Sequence, residues 1–316
     1  MAIDEALLKE HASYRDQQLG ISEEFVRLHA GPSETIGVLA LPTGERQPLG
    51  WLICHSFGAE QVDLHMTDVA VARALAVAGY PSLRFHCQGY GDSGDVATPP
   101  GPSTHLRDTL EVLDQMPARA GTDRVGLAGA RFGGTVAALA ADRAGSSDLM
   151  VFHPIVSGRK YATELLRSRV IVELLGDAPS TATTVDQLRS SLADEGMVNI
   201  KGWRLYRDVF EELGAIDLLA QIERFAGRAL VVQVSRGEAP TSSLTRLARK
   251  LESAGATVEF RVLTHPSAPN LGYEHFRPVS KDLLGDILEG VNQGLADLAL
   301  AWLGRSQHGG EAVTGQ

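Results

Sequence analysis

The residues Gly129-Ala130-Arg131-Phe132-Gly133-Gly134 set the central chemical question of this chain. They follow a short apolar strand, Val125 to Ala128, and lead into a helix of small residues that runs to about Ala141. Strand, tight turn and small-residue helix make up a nucleophile elbow of pattern Gly-x-Ser-x-Gly, whose crowded turn admits glycine beside the central position. Here the central position is Arg131. A guanidinium is always protonated and cannot attack a carbonyl carbon. The backbone pattern therefore points to acyl chemistry and the side chain excludes its usual nucleophile.

Two roles are open to Arg131. It can anchor an anionic ligand at the elbow, where backbone N–H groups and a helix N-terminus favour negative charge. Alternatively it fills a disused pocket while paired to a carboxylate. Both readings require an acidic partner, because a buried unpaired arginine is too costly. Glu60 is the first candidate and Glu238 the second. Backbone N–H groups of Phe57 and Phe132 stand where an oxyanion hole would form, and that geometry depends on the turn rather than on a serine. Ser56, Ser93, Cys54 and Cys87 are the possible substitute nucleophiles. Ser93 lies in Gly91-Asp-Ser93-Gly94 in an all-parallel context, Cys54 lies inside a strand, and Cys87 has no base beside it in sequence. The same stretch, Gly89-Tyr-Gly91-Asp-Ser-Gly94, fits a dinucleotide fingerprint only if its third glycine opens a helix. The prolines between Val96 and Pro102 preclude that.

These residues must be held by alternating strands and helices. Strands are expected at 25–29, 35–41, 49–55, 82–86, 124–130, 149–152, 229–234 and 257–263. Helices are expected at 66–78, 103–116, 132–141, 242–254 and from about 280 to 303. Near-continuous apolar strands separated by helices predict a mostly parallel sheet covered on both faces. Residues 158–222 break the alternation with helical segments at 160–175, 184–194 and 206–221, and read as an inserted cap. The expected organisation is an arm or docking helix over 1–20, a core over 21–157 and 223–304, the cap between them, and a disordered tail over 305–316.

The segments His55-Ser-Phe57-Gly58, His86-Cys-Gln-Gly89-Tyr-Gly91-Asp-Ser93-Gly94 and Gly129-Ala-Arg131-Phe-Gly133-Gly134 together resemble the α/β-hydrolase superfamily over residues 25–155 and 228–303. In the second segment His86 stands where the family has aspartate. A narrower likeness is to the exosortase-system-associated hydrolases, near the serine-aminopeptidase-like branch. It rests on Phe57-Gly-Ala-Glu60, on Pro154-Ile-Val-Ser-Gly158-Arg-Lys-Tyr161 and on Leu165-Leu-Arg-Ser-Arg169, and that group also tends to carry arginine at the elbow. The resemblance implies an α/β-hydrolase fold with a helical cap. It implies a general base at His275, with His265 as the other histidine near that strand end, and an orienting acid at Glu238. His55, Phe57, Glu60, Phe132 and Arg131 are implied at the substrate or anion site.

Three functions follow. The first is a protein that binds or transforms a small acyl- or carboxylate-bearing molecule without a covalent serine intermediate. The second is a catalytically inactive accessory protein with a protein partner in a biosynthetic or secretion pathway. The third is a hydrolase with a substitute nucleophile. A net charge of −10 over 316 residues, with no basic run, argues against nucleic acid. Two cysteines make neither a disulfide framework nor a zinc site, so no metal and no cofactor is expected. Neither a signal segment nor a run of about 20 apolar residues is visible, so the expected setting is cytoplasmic with no membrane span.

Overall fold

The computed structural model describes residues 12–91, 93–94, 96–174, 183–265 and 281–308. A nine-stranded sheet runs through the centre. Its strands in chain order are β1 (Ser13–Asp16), β2 (Ile21–Ala30), β3 (Ser33–Pro42), β4 (Leu49–Cys54), β5 (Ser82–Phe85), β6 (Arg124–Ala130), β7 (Asp148–Phe152), β10 (Arg228–Ser235) and β11 (Thr257–Thr264). Across the sheet they lie in the order β1-β2-β3-β5-β4-β6-β7-β10-β11. The first three are antiparallel, and β5 onward are mutually parallel. Strands β4 and β7 are buried along their whole length, which explains their unbroken apolar runs.

Helices α2 (Pro102–Ala120), α3 (Phe132–Ala144) and α8 (Ser242–Ala254) pack in the core on one face. On the other, α1 (Ala59–Val77) and α9 (Lys281–His308) cover Trp51, Ile53, Met150 and Val232. Between β7 and β10 the chain forms α4 (Gly158–Leu174), α5 (Val185–Glu195), the hairpin β8 (Met197–Ile200) and β9 (Trp203–Tyr206), α6 (Arg207–Gly214) and α7 (Leu218–Gln221). Thr184 caps α5 through a reciprocal bond with Gln187, satisfying an otherwise orphaned first-turn N–H. This inserted segment, expected above as a cap, is tied down at both ends. At its entrance Gly158 donates its N–H to Ile216 at 2.9 Å, and a Cβ there would collide with the carbonyl of Leu213. At its exit Asp142 of α3 accepts from the N–H groups of Glu223, Arg224 and Phe225 at 2.6–2.9 Å.

Several boundaries differ from expectation. Ser13–Asp16 is a strand paired with β2, not helix. Helix α1 begins at Ala59, seven residues before the expected 66. The cap contains the hairpin β8–β9, and the segment expected as one helix over 206–221 is split at Ala215. Helix α9 extends through His308, so the first four residues of the expected tail are helical. Residues 1–11 and 309–316 lie outside the described residues.

One buried carboxyl gives this fold a pH signature. Asp68 of α1 is buried, and burial pushes its carboxyl up to about 8 despite the nearby Arg84 cation. The folded protein holds a proton there that the unfolded chain releases above an ordinary aspartate pKa of about 4. Stability therefore falls as pH rises from about 4 to 8, by an amount on the order of a few kcal/mol. Asp68→Asn removes this slope. The melting temperature of the variant relative to wild type should climb across that window and level off above pH 8, as read by thermal denaturation at several pH values.

Candidate functional site

The elbow has the backbone that its glycines predict. Arg131 adopts φ 51°, ψ −121°, a strained conformation for a residue with a side chain. Its N–H donates to the carbonyl of Phe152 at 2.9 Å, which fixes the turn against β7. A Cβ on Gly133 would strike the carbonyl of Cys54, and one on Gly134 would lie 2.8 Å from the carbonyl of Gly129. Helix α3 thus lies directly against β4 and β6, with no room for larger residues.

The Arg131 side chain is buried, and two carboxylates hold it. Nε donates to Glu60 Oε1 at 3.0 Å and Nη2 to Glu164 Oε2 at 3.1 Å. The second Glu60 oxygen accepts from the Tyr161 hydroxyl at 2.9 Å, and the Tyr161 ring lies 5.7 Å from the guanidinium carbon. Burial opposes the arginine charge, but Glu60 and Glu164 outweigh it and hold the guanidinium above its usual range. Both helix dipoles enter this balance. Arg131 is a cation at the N-terminus of α3, where the dipole is unfavourable. Glu60, in the first turn of α1, is an anion where the dipole is favourable. The two partners differ in depth: the Glu60 side chain is 3% exposed, that of Glu164 is 45% exposed.

Aromatic rings fill the space on the other side of the elbow. Phe57 and Phe132 meet edge to face at 5.5 Å, and Phe132 stacks on Tyr161. Trp203 of the cap hairpin stacks on Tyr90 at 4.7 Å, and the Tyr90 hydroxyl accepts the N–H of Gly58 at 2.9 Å. The open space lies instead beyond Arg131, toward the end of β7. There a cavity of about 320 Å³ is lined by Arg131, His153, Lys160, Glu164, Asp217 and Arg246, among others. Asp217 is committed to capping α7 through the N–H groups of Leu219 and Ala220. His153 has φ 48°, and its Nδ1 lies 3.0 Å from the carbonyl of Val234. Burial, then the Arg131 charge, push its pKa down to about 4, so the ring is neutral near pH 7.

Of the residues expected here, Arg131 lines the cavity and Glu60 pairs with it from beneath. The others are placed differently. Both nitrogens of His55 are engaged by backbone: Nδ1 lies 2.8 Å from the carbonyl of Ser56, and Nε2 accepts the N–H of Cys87 at 3.0 Å. It braces two loops and has no donor left for an anion. Phe57 and Phe132 are buried in the aromatic cluster, and neither lines this cavity. Glu238 is exposed in the loop after β10, and the carboxylates on Arg131 are Glu60 and Glu164. His275 lies outside the described residues.

The substitute nucleophiles are occupied or inert. Ser56 Oγ donates to the carbonyl of Ala130 at 2.8 Å, and Ser93 Oγ lies within its own turn, 2.8 Å from the carbonyl of Cys87. Burial pushes the Cys54 thiol up to about 12 and raises that of Cys87 well above the usual range, so neither supplies a thiolate. The sequence reading missed Glu164, Tyr161, His153, Lys160 and Arg246. Tyr161 and Glu164 stand three apart on α4, a spacing that places them on one face and was open to reading.

No protein-family model matches the chain, and no curated protein sequence matches it. Solved structures do. Est1E from Butyrivibrio proteoclasticus with ferulic acid bound is 16% identical with a TM-score of 0.59, over 88% of this chain and 99% of that one. The Pyrococcus furiosus esterase Pf2001 is 12% identical with a TM-score of 0.58, over 89% and 94%. XC6422 from Xanthomonas campestris, an α/β serine hydrolase without a lid, is 18% identical with a TM-score of 0.50, over 86% and 94%. At these identities the likeness is one of fold. The fold is that of the α/β hydrolases.

The two ion pairs should separate in solution. Glu60→Gln leaves a buried cation short of its deep partner and should cost about 3–5 kcal/mol. Glu164→Gln breaks a half-exposed contact and should cost under about 1 kcal/mol. Urea denaturation of both variants measures the difference, and equal losses would contradict the assignment of depth.

Proposed function

We propose that this protein uses the α/β-hydrolase fold to bind a small carboxylate- or acyl-bearing molecule at the elbow, without a covalent serine intermediate. The observation that carries the reading is the cavity beside Arg131, where Lys160 and Arg246 add two cations and one acidic partner, Glu164, is half exposed. A ligand carboxylate that displaces Glu164 from Nη2 keeps the local charge balance, and the contact it replaces is worth under about 1 kcal/mol. Glu60 remains beneath and holds the guanidinium plane for a second, directional bond. That Est1E binds ferulic acid on a similar fold supports a ligand of this size and charge. The Phe57 to Glu60 segment and the elbow arginine, shared with the exosortase-system-associated hydrolases, support a common role for the pair.

Ferulate is a suitable probe by calorimetry. Arg131→Lys should weaken its binding at least about tenfold although charge is kept, because lysine lacks the planar fork. Glu164→Gln should tighten it by removing the internal competitor. Equal affinity in wild type and Arg131→Lys would overturn the reading. It would favour the second one, an inactive accessory protein with a protein partner, which the aromatic filling around Phe57, Phe132 and Trp203 supports. Under either reading a fluorophosphonate probe should label no serine, since covalent catalysis needs a free nucleophile beside a base. Mass spectrometry of the treated protein tests this, and a labelled serine would restore the substitute-nucleophile hydrolase. The same proposal places the protein in the cytoplasm; no described helix is long and apolar enough to cross a membrane.

A further inference from the structure

A second cavity, of about 550 Å³, lies on the opposite flank of the sheet, between β2, β3, β5 and α1. Its apolar wall is formed by Phe25, Ile36, Val38, Ile53, Met66, Val69 and Phe85, and Tyr14, His55, Gln61, His65 and His86 also line it. Phe25 and Met66 stand at its mouth, 62% and 59% exposed, on a surface where a soluble fold gains nothing by showing them. Its polar end is built from charged groups. Glu23 receives Nε of Arg73 at 3.1 Å on one oxygen and Nη2 of Arg84 at 3.2 Å on the other. One carboxylate thus serves two guanidinium groups. Nε of Arg84 is buried and meets no acceptor among the described residues.

We propose that this cavity is a binding site for an amphipathic monocarboxylate, with the head against the Arg73 and Arg84 guanidinium groups that line it and the tail along Phe25, Val38 and Met66. Two cations against one paired carboxylate leave a positive charge that an anionic head neutralises. Asp68, the other acid in the wall, does not supply that charge near neutral pH, because burial keeps it protonated. The volume accommodates a chain of about eight carbons, since such pockets commonly span about 300–1,000 Å³. None of the lining residues belongs to the cavity at Arg131, so the site is separate from the one proposed above.

Octanoate is the probe, with 1-octanol as the uncharged control and the methyl resonance of Met66 in methionine-labelled protein as the local readout. Octanoate should shift that resonance saturably, and 1-octanol should bind at least tenfold more weakly. Arg84→Gln should weaken octanoate at least tenfold. Phe25→Glu, at an exposed position where folding is not at stake, should do the same by placing like charge at the mouth. Arg131→Lys should leave the Met66 titration unchanged, which separates this site from the elbow. The proposal is overturned if the Met66 methyl does not respond, if octanol binds as well as octanoate, or if Phe25→Glu binds as wild type does.

Discussion

A single buried ion pair, Arg131 with Glu60, organises the centre of this molecule. Placing a permanent cation at the N-terminus of α3 runs against the helix dipole and against desolvation together. The fold answers with an anion from the N-terminus of α1, where the dipole works the other way. Once Glu60 is committed to Arg131, its second oxygen takes the Tyr161 hydroxyl, and α4 of the cap is drawn over the elbow. The ion pair therefore links the core sheet, the first helix and the cap. A serine in the same turn would supply none of these links.

The aromatic cluster is the complement of that arrangement. Phe57, Phe132, Tyr90, His105 and Trp203 occupy the volume in front of the elbow by packing on one another. Trp203 comes from the cap hairpin, so the cap contributes a plug as well as a roof. Space remains on the β7 side, and the cavity there inherits the polar residues Lys160, Arg246 and His153. The polar groups nearest the elbow thus lie to one side of it along the sheet, as the proposed charge recognition requires.

The parts of this arrangement that were legible in the sequence are those dictated by local sterics. Gly129, Gly133 and Gly134 announce the elbow because backbone atoms occupy the places their side chains would take. The alternation of apolar strands and helices announces the parallel sheet because both its faces are covered. Helix α1 was read late because Gly58, at φ 60°, opens it without a side-chain cap. The hairpin β8–β9 fills the gap between the helices expected at 184–194 and 206–221, where Lys201 and Gly202, both with positive φ, form the tight turn that joins its strands. Glu60 was accessible because it sits close in sequence to the loop facing the elbow. Glu164 was not, since it reaches Arg131 only through the tertiary placement of α4. His55 misled for a related reason: a histidine after a strand suggests chemistry, and nothing local reveals that two backbone groups already claim its ring.

The tethers of the cap bear on how quickly this protein can exchange anything held beneath it. Gly158 is pressed against α6 at the entrance, and Asp142 grips three successive amides at the exit, so both hinge points where a lid would swing are clamped. Domain opening of that kind belongs to microseconds and longer, whereas rotation of an exposed side chain takes picoseconds to nanoseconds. With both ends of this segment tied, the half-exposed group in the cavity wall is the carboxylate of Glu164. If a ligand binds there as proposed, it exchanges past a gate of a few atoms, and not by the opening of a domain.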